Sequence, residues 1–150
     1  MWNRREVLGS CVVLAASAGL ARAQGPGMPG MDMPGMGQDT MTRESCIEIC
    51  IKSHRMCLQT ARYCTEKGGP HVAPAHLALL LDCAEMCQTT ANSLERRSPQ
   101  HGAICGACAQ LCDACAKDCE AIAGDEQMMR CAALCRDCAR DCRAMVNMPI

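Results

Sequence analysis

Fifteen of the sixteen cysteines in this 150-residue chain recur at steps of three, four or seven. They form four runs: Cys46, Cys50, Cys57, Cys64; Cys83, Cys87; Cys105, Cys108, Cys112, Cys115, Cys119; and Cys131, Cys135, Cys138, Cys142. Steps of three and four put side chains on one face of an α-helix. That face is normally Leu, Ile and Val; here much of it is thiol. Two thiolates one turn apart can converge on one soft metal ion, and six C-x-x-x-C pairs offer this: Cys46/Cys50, Cys83/Cys87, Cys108/Cys112, Cys115/Cys119, Cys131/Cys135 and Cys138/Cys142. The C-x-x-C steps Cys105/Cys108, Cys112/Cys115 and Cys135/Cys138 link neighbouring pairs. A single C-x-x-C is a weak signal, whereas this array over several helices is a strong one.

Two other uses of cysteine compete with metal. Buried free cysteine often acts as a small hydrophobe. Fifteen such choices at one periodicity argue against that, because Leu and Val pack better. A disulfide scaffold is the usual meaning of such a cysteine content in an exported chain. Helical neighbours at i and i+4, however, have Cβ atoms about 5–6 Å apart, and a disulfide wants about 3.5–4.5 Å. Bridges between helices stay open, but fifteen is odd and one thiol would be left over.

Soft thiolates select Cu(I), Zn(II) or iron–sulfur clusters. Zinc favours closed four-ligand tetrahedra, commonly on turns, and iron–sulfur motifs also present cysteines from loops. Cu(I) accepts two or three ligands, so a row of paired thiols can be filled end to end. Bare thiolates in a dry core would cost tens of kcal/mol by Born-type reasoning. One Cu⁺ per thiolate cancels that charge and shields the sulfur from oxidation. The residues therefore favour multiple Cu(I) ions per chain, with a Zn(II)-thiolate store as the alternative and a thiol redox or disulfide-stabilised exported protein as another. The one redox candidate, Cys105-Gly106-Ala107-Cys108, lies past the first turn of its helix and lacks a βαβ context, so no enzyme is expected.

The elements that must position these thiols are four helices. The first is expected from about Thr42 to Lys67, stopped by Gly68-Gly69-Pro70. The second begins near Pro74, a good first-turn residue, and ends near Arg97. Ser98 and Pro99 read as cap and first residue of the third, which runs to Gly124. Asp125 caps the fourth, which runs to about Asn147. Short connections make neighbours antiparallel, so the fold class is all-α: an up-down-up-down four-helix bundle with a cysteine-lined core over residues 42–150. The third and fourth helices look like copies, with Ala109 to Cys119 aligning on Ala132 to Cys142. In this topology His71, His76, Met128 and Met129 collect at one end. They read either as a mouth of weaker ligands that passes Cu⁺ inward or as ordinary loop and surface residues. His54 either lines the inner face near that end or lies on the helix surface. His101 belongs to the opposite end.

Residues 1–23 read as a twin-arginine signal peptide: Arg4-Arg5, an apolar stretch from Val7 to Leu20, and Ala21-Arg22-Ala23 before the cut. The apolar stretch and its flanks fit a signal better than a membrane span. Cys11 would leave with it, and the expected location is the periplasm. Residues 24–41 carry Met28, Met31, Met33 and Met36 among Gly and Pro, and read as a flexible tail, either a plain linker or a thioether lure. With no Phe, one Trp and one Tyr, the chain lacks the aromatics of an ordinary core. A formal net charge of -1 without a basic stripe gives no reason to expect nucleic acid.

The C-x-x-x-C rows, the export signal and the missing aromatics resemble the bacterial copper storage proteins, over about residues 42–147 and most specifically at Cys105 to Cys119 and Cys131 to Cys142. The resemblance implies a four-helix bundle whose interior binds many Cu(I) ions. It also implies export of members with this signal, assembly as homotetramers, and supply of copper to a copper enzyme or protection from it. Histidine and methionine near one bundle end are part of that pattern.

Overall fold

A computed structural model describes residues 41–149. The expected signal peptide and all of the expected tail except Met41 lie outside the described residues. Four helices, α1 (Arg43–Lys67), α2 (Pro74–Glu95), α3 (His101–Glu120) and α4 (Glu126–Met145), are joined by short connections. The first connection carries one 3-10 turn, Gly69–Val72. No strand occurs among the described residues. Each helix packs on its chain neighbours and α4 closes the ring on α1, most intimately in the pairs α1/α2 and α3/α4. This is the expected four-helix bundle. None of the described helices is long and apolar enough to cross a membrane.

The helix limits follow from local chemistry. Thr42 caps α1: its Oγ1 accepts from the Ser45 N–H (3.0 Å), and its own N–H donates to Ser45 Oγ (2.9 Å). Gly68, with φ at 74°, ends α1 by donating to the Cys64 carbonyl at 3.0 Å. Pro74 opens α2 as expected. The expectation for α3 is corrected. Ser98 caps the turn before it instead, its Oγ accepting from the Gln100 N–H at 3.2 Å and its carbonyl from the His101 N–H at 3.0 Å, while Ser98 also closes the end of α2. Its N–H bonds the Ser93 carbonyl and the Arg97 N–H bonds that of Leu94, both at 3.0 Å. That is a Schellman closure, with Arg97 at φ 50° in the left-handed position where glycine is usual. Ser98, Pro99 and Gln100 therefore form a turn, and α3 begins at His101. The helix ends at Glu95, Glu120 and Met145 fall two to four residues short of the expected limits. Gly102 is required where α3 starts: a Cβ there would lie 2.5 Å from the Val146 carbonyl oxygen.

Each helix turns one stripe to the axis. On α1 it is Cys46, Cys50, Ser53, Cys57, Thr60, Cys64; on α2 His76, Leu80, Cys83, Cys87, Thr90, Leu94; on α3 Cys105, Cys108, Cys112, Cys115, Cys119; on α4 Met128, Cys131, Cys135, Cys138, Cys142, Met145. All are buried. Alanines follow stripe residues at Ala61, Ala84, Ala91, Ala109, Ala116, Ala132 and Ala139 and are buried too. These small side chains let the helices approach closely enough for their sulfurs to meet.

Asp125 fastens one end of the bundle. Its Oδ1 accepts from the Gln127 and Met128 N–H groups (2.9 and 3.1 Å), which caps α4. Its Oδ2 accepts from the Tyr63 hydroxyl at 2.7 Å and from His71 Nε2 at 3.0 Å. The Tyr63 hydroxyl, chiefly, with the two backbone donors and His71, holds this carboxyl down at about 2 against the opposing effect of burial. A depressed carboxyl contributes stability that is present above its unfolded pKa of about 3.9 and is lost as pH falls toward about 2. Asp125→Asn should lower the thermal midpoint at neutral pH and flatten the acid-unfolding curve between these limits. Circular dichroism melts across that range check it, and an unchanged acid limb would refute the assignment.

Candidate metal centre

All fifteen cysteines of the four helices are free and buried. The sulfurs approach across the axis without bonding. Cys87 lies 3.5 Å from Cys112, Cys83 3.6 Å from Cys112, Cys50 3.6 Å from Cys142, and Cys57 3.7 Å from Cys135. A disulfide would need about 2.05 Å. The Cys46–Cys142 contact, at 4.0 Å, carries the array toward the far end.

Four groups of thiols bring their sulfurs within 4.8 Å of one another: Cys50/Cys108/Cys138/Cys142, Cys87/Cys108/Cys112/Cys138, Cys57/Cys83/Cys115/Cys135 and Cys115/Cys119/Cys131. The first two share Cys108 and Cys138, and the last two share Cys115. Shared sulfurs suit ions bridged by common thiolates better than isolated closed tetrahedra. One group, Cys57/Cys83/Cys115/Cys135, takes one thiol from each helix. A zinc ion there would leave a net double negative charge in a dry core, whereas one monovalent ion per thiolate leaves none.

The environment of each sulfur sets its proton affinity. At the edge of the array, burial pushes the Cys64 thiol up to about 11. Inside it, hydrogen bonds from neighbouring S–H groups outweigh burial at selected sites. Those from Cys112, Cys115, Cys135 and Cys57 pull Cys83 down, and those from Cys112, Cys138, Cys142 and Cys50 pull Cys108 down. Neighbours of such sites keep their protons: Cys57 is pushed up, first by Cys115, and Cys112 first by Cys108. The core is thus a network of hydrogen-bonded thiols in which neighbours pull one another's proton affinity in opposite directions.

One end adds nitrogen. His76 is buried, its Nδ1 hydrogen-bonded to the Asp118 carboxylate and its Nε2 3.5 Å from Cys64 Sγ. Since Nδ1 donates to the carboxylate, Nε2 carries the lone pair that faces the sulfur. His71 is buried beside Tyr63, edge to face at 5.9 Å. Its Nε2 donates to Asp125, and its buried Nδ1 has no hydrogen-bond partner. Two imidazoles are thus oriented by two carboxylates with lone pairs uncommitted to any strong donor. Met128 is fully buried at this end and Met129 is exposed. His54 is placed elsewhere: half-buried in mid-α1, with its Nδ1 donating to the Ala84 carbonyl at 2.9 Å on the α1/α2 seam. His101 is held at the opposite end, bonded through Nε2 to the Met148 carbonyl at 2.9 Å.

The carboxylates were the part missed by reading residue types. Asp118 had one signal, its repeat as Asp141 in the second copy, but Asp141 pairs with Arg140 at 3.0 Å and so carries no histidine. Tyr63 and Asp125 come together over 62 residues of chain, which no local spacing announces. The hydroxyls of Ser53, Thr60 and Thr90, which occupy stripe positions among the thiols, follow from the 3-4 spacing once α1 and α2 are in place.

Comparison with known proteins places this geometry. A structure of the Nmul_A1745 protein from Nitrosospira multiformis is 44% identical, with a TM-score of 0.66, over 69% of this chain and 94% of that one. The Cu(I)-bound copper storage protein BsCsp3 is 31% identical, with a TM-score of 0.65, over 69% and 96%. A cytosolic copper storage protein from Streptomyces lividans carrying five coppers is 31% identical, with a TM-score of 0.63, over 71% and 92%. The uncharacterized cysteine-rich protein YhjQ of Bacillus subtilis (strain 168) is 32% identical over 68 residues, 45% of this chain, which spans 63% of that relative's length. The family described as copper storage protein matches residues 39–147, and the chain belongs to that family.

Proposed function

We propose that this protein stores Cu(I) outside the cytoplasm as charge-neutral copper–thiolate clusters along the bundle axis. The observation that carries the reading is the set of fifteen free, buried thiols whose close groups share members. The ligands are Cys46, Cys50, Cys57, Cys64, Cys83, Cys87, Cys105, Cys108, Cys112, Cys115, Cys119, Cys131, Cys135, Cys138 and Cys142. Copper enters at the end that holds His71 and His76, whose lone pairs and the thioether of Met128 hand the ion to Cys64. The mouth reading is supported by the orientation of both rings by carboxylates and by the unpartnered Nδ1 of His71. Exposed Met129 is the outermost soft ligand, and His54, tied to Ala84, takes no part.

The export reading rests on Arg4-Arg5, the apolar stretch and the Ala21-Arg22-Ala23 cut. The Streptomyces relative is described as cytosolic, so the export reading rests on the leader alone. Assembly as a homotetramer and delivery to a copper enzyme are part of the same proposal and follow from the family resemblance. The Met28 to Met36 segment acts as tether or lure.

Anaerobic titration of the reduced protein with Cu(I), against a competing chelator, should give roughly one tightly held ion per core cysteine. Cys115→Ser, which removes a sulfur shared by two groups, should lose capacity and weaken the ions beside it. Uptake of only one or two ions would instead indicate a redox enzyme, and none without reductant a disulfide scaffold. For the leader, Arg4→Lys with Arg5→Lys should leave a reporter fused to residues 1–30 in the cytoplasm; export unaffected by the pair removes the twin-arginine assignment.

The raised thiols make a further prediction. Cys64, with its proton held up to about 11 from an ordinary 9.0, contributes stability that is complete below pH 9 and lost as pH rises toward 11, because the unfolded thiol ionises first. The thermal midpoint of the copper-free protein should therefore fall across that range. Copper-loaded protein, whose sulfurs carry no proton to lose, should not show the fall. Equal pH dependence in the two forms would contradict the ligand assignment.

A further inference from the structure

The thiol array is divided. Cys50, Cys87, Cys108, Cys112, Cys138 and Cys142 make up two of the close groups, and Cys57, Cys83, Cys115, Cys119, Cys131 and Cys135 make up the other two, with no sulfur in common. On α1 the division has a visible cause. The stripe position between Cys50 and Cys57 is Ser53, fully buried, with its hydroxyl lacking any hydrogen-bond partner. The seven residues from Cys50 to Cys57 span about 10 Å of helix, too far for one ion to be held by both sulfurs. On the opposite side of the axis the gap is bridged. The Cys112 sulfur sits between the two thiols of α2, 3.6 Å from Cys83 in one half and 3.5 Å from Cys87 in the other. Among sulfur pairs within 4.0 Å no other crosses the division, as Cys50–Cys138 at 3.8 Å, Cys87–Cys108 at 3.8 Å and Cys57–Cys135 at 3.7 Å illustrate. At longer range Cys112 also faces Cys135, and Cys83 faces Cys87.

We propose that Cys112 is the transfer ligand through which Cu(I) crosses between the two halves of the core. This rests on the Cu(I)-store reading but not on which end admits copper. The step is ligand exchange without change of oxidation state. The Cys112 thiol gives up its proton as its sulfur bonds the ion held by Cys83. The copper–Cys83 bond breaks and Cys83 takes a proton, so charge is conserved at every stage. The Cys87 thiol repeats the exchange on the other side. A bicoordinate ion tolerates a third sulfur in passing, and two contacts of nearly equal length on one sulfur give the ion no deep trap between them.

The test follows which half fills first. Reduced, copper-free full-length protein is mixed with a soluble Cu(I) complex under anaerobic conditions and quenched at intervals with a thiol-alkylating reagent. Peptide mapping then reports which cysteines are protected. In the unmodified chain both halves should lose reactivity in one continuous course. In Cys112→Ser one half should fill at the normal rate and the other about tenfold more slowly or worse, and which half lags identifies the end that admits copper. Cys138→Ser, which removes a sulfur at the same level on α4, should lose capacity yet keep the single course. Ser53→Cys added to Cys112→Ser should restore it by opening a path along α1. If Cys112→Ser fills both halves at the normal rate, or if Cys138→Ser splits the course as strongly, the relay is refuted. A Ser53→Cys/Cys112→Ser chain that still fills in two phases would refute the α1 gap. Failure of the unmodified chain to take up copper refutes the store itself, an outcome distinct from these.

Discussion

Sulfur in this bundle must be dry, close to other sulfur, and neutral, and most of the architecture follows from meeting those demands together. Dryness puts the thiols on the axis. Closeness requires helices that approach tightly, which the alanines beside the stripes at Ala84, Ala91, Ala109, Ala116, Ala132 and Ala139 permit. Neutrality forbids bare thiolates, whose burial would cost far more than the fold could recover. Thiols meet it with protons shared along S–H contacts of 3.5–4.0 Å. A filled core would meet it with one monovalent ion per sulfur, so filling and protonation are alternative answers to one electrostatic problem.

That choice weakens the core as adhesive. A cysteine buries less apolar surface than leucine and packs against fewer atoms. The single tyrosine lies at the end, bonded to Asp125, not on the axis. Large apolar residues are used sparingly: Leu80 and Leu94 on α2, and Met128 and Met145 flanking the thiols of α4, all fully buried. Local devices supply the rest of the order, namely the Thr42 capping box, the Asp125 cap, the Schellman closure at Arg97 and the close approach at Gly102. Ion pairs join α3 to α4 on the surface, Arg136 with Glu120 and Arg143 with Asp113, but exposed pairs of this kind stabilise little. A bundle built this way leaves room for bound ions to add stability, since a ligand that binds the folded state alone shifts the folding equilibrium toward it.

The helices and the inward direction of the thiols were legible because both depend on a short period that cysteine, unlike a scattered catalytic residue, repeats many times. Thr42, Pro74 and Asp125 were legible as starts because capping chemistry is local. Ser98 misled because the same side chain suits a cap and a turn. What decided between them was the geometry after it: its Oγ and carbonyl close a turn onto Gln100 and His101, and the first bond of α3 runs from the Ile104 N–H to the Gln100 carbonyl. The histidines could be assigned to one end from topology alone, but not their state. That required Asp118 and Asp125, which reach His76 and His71 across 42 and 54 residues of chain. The division of the thiols was invisible for a similar reason. Ser53 interrupts a stripe in one helix, but the consequence depends on which sulfurs face it from the other three.

The two ends of the axis differ in a way that gives the array a direction. At one, imidazole nitrogens held by carboxylates stand next to Cys64, and a fully buried thioether lies with them. At the other, Leu94 and Met145 are buried, and His101 spends its Nε2 on the Met148 carbonyl. Imidazole nitrogen binds Cu(I) less tightly than thiolate, so in the proposed store an ion placed at the first end would gain on passing inward to Cys64, whereas His101 at the second end has its Nε2 committed to a carbonyl. In such a store, weaker ligands at one end with the thiol array beyond them would capture quickly and release slowly. Release from the proposed store would require a partner that competes for the outermost ion, and the recognition surface for such a recipient would lie around His71 and His76 rather than along the helix faces.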